Sequence, residues 1–248
     1  MSNTDLEKIL QDIKNEVNEV LKKHKDNVQI IRSKEELSEY IDKAIENKVI
    51  SIDTETNNSL DPLTCKLMGL CLYTPNEKQV YVPVNHRDPL SRRRLPQQLD
   101  VEVLKEELSR IKKAQTKVIM HNGKFDYEVI KCTCDIEIVP DWDTMIAAVI
   151  LNENESKSLK WQYKNKIDPT QEEYKIEKLF KKVPYADVDI ESFALYSATD
   201  AYITFKLFEY QLNEFKKKDN KKLFELFKDI EMPMIKIAAD MELIGVRA

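Results

Sequence analysis

Glycine is scarce in this chain, with three in 248 residues. Loops that cradle phosphates on bare backbone need several closely spaced glycines, and neither a Gly-x-Gly-x-x-Gly nor a Walker pattern occurs. A nucleotide site of that kind has little room here. Cysteines are few as well: Cys65, Cys71, Cys132 and Cys134 form no paired Cys-x-x-Cys pattern. They read as reduced thiols and not as a zinc site, with Cys132 and Cys134 on a strand-like or loop segment. No apolar run reaches the roughly 20 residues of a membrane helix, and the N-terminus lacks a basic-then-apolar signal. A soluble protein of a reducing, intracellular setting is expected, with no membrane partner. Surplus basic charge is also missing, the formal net charge being −5. That argues against a protein that coats nucleic acid through a basic face. One class escapes the objection: an enzyme whose clustered carboxylates are neutralised by bound cations when it works.

What is present is an ordinary globular composition, 42% hydrophobic, in a length that suits one large domain or two small ones. Leu6, Ile9, Leu10, Ile13, Val17, Val20 and Leu21 recur at three- and four-residue steps and predict an amphipathic helix. A short strand over 28–31 follows, and Ser33 with Glu36 forms a capping-box signature that opens a helix to about Asn47. Strands are predicted over 49–53, 67–73, 79–84, 118–121 and 136–139, with helices over 100–113 and 124–131. Beyond Asp143 the pattern is helical, with long segments around 193–215 and 221–243. The order predicts an α/β fold: a mixed β-sheet flanked by helices, with a helical C-terminal part. Pro89 to Pro96, which contains Arg92-Arg93-Arg94, reads as a mobile loop.

Three carboxylate motifs stand on these elements. Asp53-Thr54-Glu55-Thr56 ends the apolar run 49–52. Residues i and i+2 of a strand share a face, so Asp53 and Glu55 can converge on one cation. An acid buried there is costly unless it is paired or ligates metal. His121-Asn122-Gly123-Lys124-Phe125-Asp126 follows the apolar run 118–120, with Asn122 at a helix start and Asp126 one turn inside. Tyr196-Ser197-Ala198-Thr199-Asp200 puts Tyr196 and Asp200 one above the other on a helix. Taken singly, each admits an ordinary reading: a strand-end Asp entering a turn, an N-cap with a first-turn acid, a Tyr–Asp hydrogen bond.

Taken in order, Asp-x-Glu at a strand end, Asn-x-x-x-Asp at a helix start and Tyr-x-x-x-Asp within a helix resemble the motifs of the DEDDy 3′→5′ exonucleases. Asp143-Thr144-Met145 with Ile150-Leu151-Asn152, and Ser158-Leu159, are similar to the proofreading domain of bacterial and phage family A (Pol I-like) DNA polymerases. So is the tail, Ile230-Glu231-Met232-Pro233 and Asp240-Met241-Glu242-Leu243-Ile244-Gly245-Val246. The match runs from about residue 28 to the C-terminus. Two departures stand out. Leu60 lies one residue further from Asp53 than the family's leucine usually does, and Gln171, with Tyr174 close by, stands where the family tends to place an aromatic.

The resemblance implies a ribonuclease H-like fold. It also implies a division into an N-terminal extension (1–27), an exonuclease domain (28–228) and the start of a polymerase domain (229–248). It further implies removal of nucleoside monophosphates from single-stranded or frayed, mispaired DNA 3′ ends with two divalent cations, Mg²⁺ or Mn²⁺. Asp53, Glu55 and Asp200 would hold one ion, and Tyr196 would orient the attacking water. Asp53 would bridge to the second ion, whose water shell Asp126 helps to hold. Thr54, Leu60, Asn122 and Phe125 would grip the terminal nucleotides. The implied partners are a DNA 3′ end and the polymerase domain of the same chain, in a monomer of the bacterial or phage-infected cytoplasm. A stand-alone RNase D-like RNA exonuclease shares the three motifs, but the polymerase-like tail argues against it. A catalytically silent scaffold is the other alternative, against which every acidic position is present.

Overall fold

The computed structural model describes residues 3–57, 59, 61–170, 176–181 and 183–245. Helix α1 (Asn3–Val20) leads through a 3-10 turn into β1 (Val28–Ile30). The capping box then forms as expected. Ser33 Oγ accepts from the Glu36 N–H at 3.2 Å, while the Glu36 carboxylate accepts from the Ser33 N–H at 3.1 Å and the Arg32 N–H at 2.8 Å. These bonds satisfy N–H groups that a helix start leaves without partners, and α2 (Lys34–Asn47) follows. Lys48 ends it in the left-handed region at φ 58°, and the chain passes at once into β2 (Val49–Thr56).

Strands β3 (Leu67–Tyr73) and β4 (Gln79–Pro83) are buried at every position, so the sheet is covered on both faces. The chain continues through α3 (Val101–Lys113), β5 (Lys117–Met120), α4 (Gly123–Cys134), β6 (Trp142–Asp143), α5 (Thr144–Leu151) and α6 (Leu159–Lys166). The short α7 (Ile176–Leu179), the 26-residue α8 (Ile190–Phe215), α9 (Lys221–Leu226) and α10 (Met232–Ile244) complete it. The sheet order is β1-β4-β3-β2-β5-β6, antiparallel where β3 meets its two neighbours and parallel elsewhere.

Alternation along the strands divides the core in two. Ile50, Ile52, Leu70, Leu72, Val80 and Val82 face α2, α3 and α4. Cys71, Tyr73 and Tyr81 face α8, to which α1 adds Ile13 and Val17, followed just beyond it by Leu21. Ser51 belongs to the second face, donating its hydroxyl to the Ala201 carbonyl of α8 at 2.8 Å. Buried alanines on α8 (Ala194, Ala198 and Ala201) let that helix lie close to the strands. At the sheet edge Trp142 packs among Phe208, Phe215 and Phe227, at ring separations of 4.6–5.7 Å, and donates to Gln211 at 3.0 Å.

Two expectations need correction. The sixth strand is Trp142–Asp143, not residues 136–139. Pro140 interrupts that run and offers no donor to a ladder, so pairing with β5 starts beyond it. Cys132 and Cys134 lie in the last turn of α4, which runs on until Asp135 turns left-handed at φ 52°. The helix predicted over 221–243 is continuous, with a π-helical turn, Phe227–Glu231, inserted just before Pro233, which cannot donate to the preceding turn. In the arginine loop Arg92 pairs with the buried Asp187 at 2.5 Å, as does Arg87 just before the loop, and Arg94 donates to the Val84 carbonyl at 2.9 Å. Among the described residues, no helix is long and apolar enough to cross a membrane.

Gly69 on β3 lies directly opposite Glu55. A Cβ there would sit 2.5 Å from the Tyr81 ring and hydroxyl and 2.6 Å from the Val82 carbonyl oxygen, which no rotamer change relieves. Gly69→Ala is expected to destabilise the protein by about 1–3 kcal/mol, read as a lower urea midpoint with an unchanged slope. A midpoint equal to that of the wild type would show that the strands part there without strain.

Candidate metal centre

The parity that turns Ser51 toward α8 also turns Asp53 and Glu55 that way. A carboxylate oxygen of each, together with Cys71 Sγ, forms a group whose atoms all lie within 4.8 Å of one another. Cys71 arrives there because it is the cross-strand partner of Asp53. Just past Glu55 the register slips, which ends the regular pairing beside the acids. Burial raises Asp53 to about 6, against the pull of the Lys160 ammonium. Burial and then the Asp53 charge hold Glu55 well above the usual carboxylate range. Burial, reinforced by the Glu55 and Asp53 charges, pushes the Cys71 thiol well up. A protonated thiol is a poor ligand, so the group offers carboxylate oxygens, the donors that hard divalent cations take.

Asp126 reaches the same strand end from the first turn of α4. Its Oδ1 accepts from the Thr54 N–H at 2.9 Å and from the Thr54 hydroxyl at 2.6 Å. Burial and the Asp53 charge raise its carboxyl, and the two Thr54 bonds oppose that rise. The hydroxyl of Thr54, a residue expected to grip substrate, is thus committed to Asp126. Asn122 departs from the N-cap reading. It sits in the left-handed region at φ 63° and, among the described residues, makes no side-chain cap bond. Asp143 does that work instead, accepting from the Asn122 and Gly123 N–H groups at 3.2 and 2.7 Å and from those of Met145 and Ile146 at 2.8 and 3.2 Å. One buried carboxylate therefore ties together the starts of α4 and α5. The Asn122 side chain is left exposed beside a half-buried Phe125. Leu60, Gln171 and Tyr174 lie outside the described residues.

Tyr196 and Asp200 are half-buried, one turn apart on α8. Lys160, which sequence reasoning missed, stands between them and the strand acids. Its ammonium pairs with Asp200 Oδ1 and lies 5.4 Å from the centre of the Tyr196 ring. Burial lowers it to about 8, while Asp53 and Glu55 pull the other way. The only trace of it in the sequence was Ser158-Leu159 immediately before. Asp126 and Asp200 fall outside the tight Asp53–Glu55 group, the first joined to it through Thr54 and the second through Lys160. Asp53, Glu55 and Asp126, all raised by burial, with one ammonium beside them, suit a divalent cation.

Positive charge collects nearby, although the chain as a whole is acidic. A groove of about 390 Å³, lined in part by Asn57, Lys66, Asn85, Arg87, Arg92 and Arg94, begins two residues beyond Glu55. Asp187 neutralises part of it through Arg87 and Arg92.

A family model described as 3′-5′ exonuclease matches residues 28–216. DNA polymerase I of Borreliella burgdorferi is 32% identical over 217 residues, which cover 87% of this chain and 22% of that protein. DNA polymerase I of Chloroflexus aurantiacus is 29% identical over 223 residues, covering 89% of this chain and 23% of its own. The chain thus spans less than a quarter of the length of these relatives. Among solved structures, Escherichia coli RNase D superposes with a TM-score of 0.62 at 16% identity, over 87% of this chain and 51% of that one. The POL domain of Pol1 from M. smegmatis superposes with a TM-score of 0.59 at 14% identity, over 85% and 31%. The fold is that of the ribonuclease H-like exonucleases.

Without metal, the raised Asp53 carboxyl makes its ionisation oppose folding. The stability it contributes when protonated is present at low pH and is lost as pH rises through about 6. Asp53→Asn in chelator should therefore raise the melting temperature at pH 8 by about 3 °C or more, with the gap narrowing as pH falls through about 6 and closing only below the ordinary aspartate value of about 4. Thermal melts across that range check it, and an unchanged value at pH 8 would mean that the acid pair carries no net repulsion.

Proposed function

The chain belongs to the 3′-5′ exonuclease family whose model it matches, and we propose that it trims single-stranded or frayed DNA 3′ ends with two divalent cations, Mg²⁺ or Mn²⁺, as the proofreading part of a polymerase. The observation that carries this reading is the Asp53–Glu55 pair at the end of β2, with Asp126 of α4 bound to Thr54 between them and Asp200 of α8 paired with Lys160. When bound, such ions lower the pKa of a water and stabilise charge on the attacking and leaving oxygens.

In this reading Asp53, Glu55 and Asp200 hold one ion, and Asp53 with Asp126 serves the other. The Tyr196 phenol orients the attacking water, since a phenol is ordinarily neutral near pH 7 and can donate. Asn122 and Phe125 contact the terminal nucleotides. Thr54 acts through Asp126, whose carboxylate it holds in place. Lys66 and the arginines of the groove receive the phosphates of the following strand. In this reading only a separated strand brings its terminal phosphate to the acids.

The same reading takes residues 28–228 as the exonuclease unit, 1–27 as an extension packed on α8, and 229–248 as the entry to a polymerase domain. Two observations support the last boundary. The π-helical turn Phe227–Glu231 falls there. From that turn onward Ile230, Met234, Ile237, Met241 and Ile244 form an exposed apolar stripe at helical spacing, the kind of face that a neighbouring domain covers.

A 3′-labelled strand incubated with Mg²⁺ or with chelator gives the first test: shortening from the 3′ end only with metal. Asp53→Ala combined with Glu55→Ala should lower the rate about 10³-fold or more, and near-normal activity would refute the assignment. Tyr196→Phe should cut more slowly while keeping its Mn²⁺ affinity, and a large loss of that affinity would contradict a water-orienting role. Each matched step is held by stacking worth about 1.4 kcal/mol, so a mispaired 3′ end should be trimmed faster than a paired one. Equal rates on both, or a strong preference for RNA, would overturn proofreading and favour an RNase D-like exonuclease.

A further inference from the structure

Lys160 has no part in the chemistry described above, yet it occupies the middle of the acidic site. Its position is imposed by the fold. Gln162 and Tyr163 of α6 are buried, the helix packs on α8, and the Gln162 amide donates to the Ser156 carbonyl at 2.7 Å, fixing the turn that enters the helix. The side chain is three-quarters covered, and so is its partner: 23% of Lys160 and 19% of Asp200 remain exposed. The ion pairs of the outer surface, such as Lys34–Glu106 or Lys43–Glu46, are far more open. The Tyr196 ring flanks the ammonium on one side, and the charges of Asp53 and Glu55 act on it from the strand.

We infer that Lys160 is a built-in counter-cation, which keeps the carboxylates assembled in the metal-free protein and which a divalent ion has to displace from Asp200. The inference rests on the two-cation reading of the site. An ammonium paired with Asp200 and a divalent ion that the same carboxylate would hold compete for its charge, so each cation would weaken the binding of the other. The site therefore has a closed state, held by lysine, and an open one. Apparent metal affinity is the intrinsic affinity reduced by the fraction of open site. Without the lysine the acids would repel one another unopposed, so the same residue stabilises the empty site and weakens its loading.

Calorimetric titration with Mn²⁺, together with melts in chelator and in saturating Mn²⁺, tests this on the wild type, Lys160→Met and Lys160→Arg. Lys160→Met should bind Mn²⁺ about fivefold or more tightly, since a site closed most of the time gains that factor when it stays open. It should also melt lower in chelator and gain more from metal, while Lys160→Arg stays near the wild type. Lys160→Gln, which keeps the stem and loses the charge, gives the same reading should the Met variant not fold without metal. Equal or weaker Mn²⁺ affinity in both uncharged variants would overturn the inference. So would an equal gain from Lys164→Met, one turn along α6, because distant charge and not the Asp200 pair would then be responsible. A wild type that binds no Mn²⁺ at all would instead defeat the two-cation reading itself.

Discussion

Two carboxylates two residues apart at the end of a buried strand repel each other and are poorly hydrated, and much of the surrounding structure is arranged around that conflict. The strand cannot turn either acid away without turning its neighbours too, because Ile50 and Ile52 must face α4 while Ser51, Asp53 and Glu55 must face α8. The charge is met from outside the strand. Lys160 brings a cation from α6, and the Thr54 hydroxyl and N–H hold Asp126 on the far side. Opposite Glu55 stands Gly69, where any side chain would collide with Tyr81. A site of this kind is destabilised as a fold element so that it can be stabilised by its ligand.

The supporting parts follow from the same need for position. Asp143 is buried and makes no claim on a cation. Its four backbone bonds fix where α4 and α5 begin, and so where Asp126 stands and which way Asn122 is turned. The small residues along α8 let Asp200 and Tyr196 come down to the strand ends. The arginines paired on Asp187 keep part of an acidic chain's surface locally basic.

Much of this was legible in the chain, and for local reasons. Strand parity put Asp53 and Glu55 on one face, the capping box marked the start of α2, and the four-residue step stacked Tyr196 on Asp200. These are properties of neighbours in sequence, fixed by backbone geometry. Where local signals misled, a longer-range partner decided the outcome. Asn122 was a fair N-cap until Asp143, from another strand, took the N–H groups. Residues 136–139 had the composition of a strand, but Pro140 and the pairing of Trp142 with Ile119 moved the ladder onward.

By itself, then, the sequence determined most of the order of elements, the mixed sheet flanked by helices and the spacing of the acidic motifs. All of these depend on periodicity and residue type. Only the tertiary structure decided which groups meet across elements: Cys71 beside Asp53 by strand register, Thr54 clasping Asp126, and Lys160 laid on Asp200 by the packing of α6 against α8. No spacing rule carries such pairings, because they depend on the angles and depths at which whole elements pack. A lysine on a surface-like helix has no local mark that tells whether its ammonium ends in water or among carboxylates.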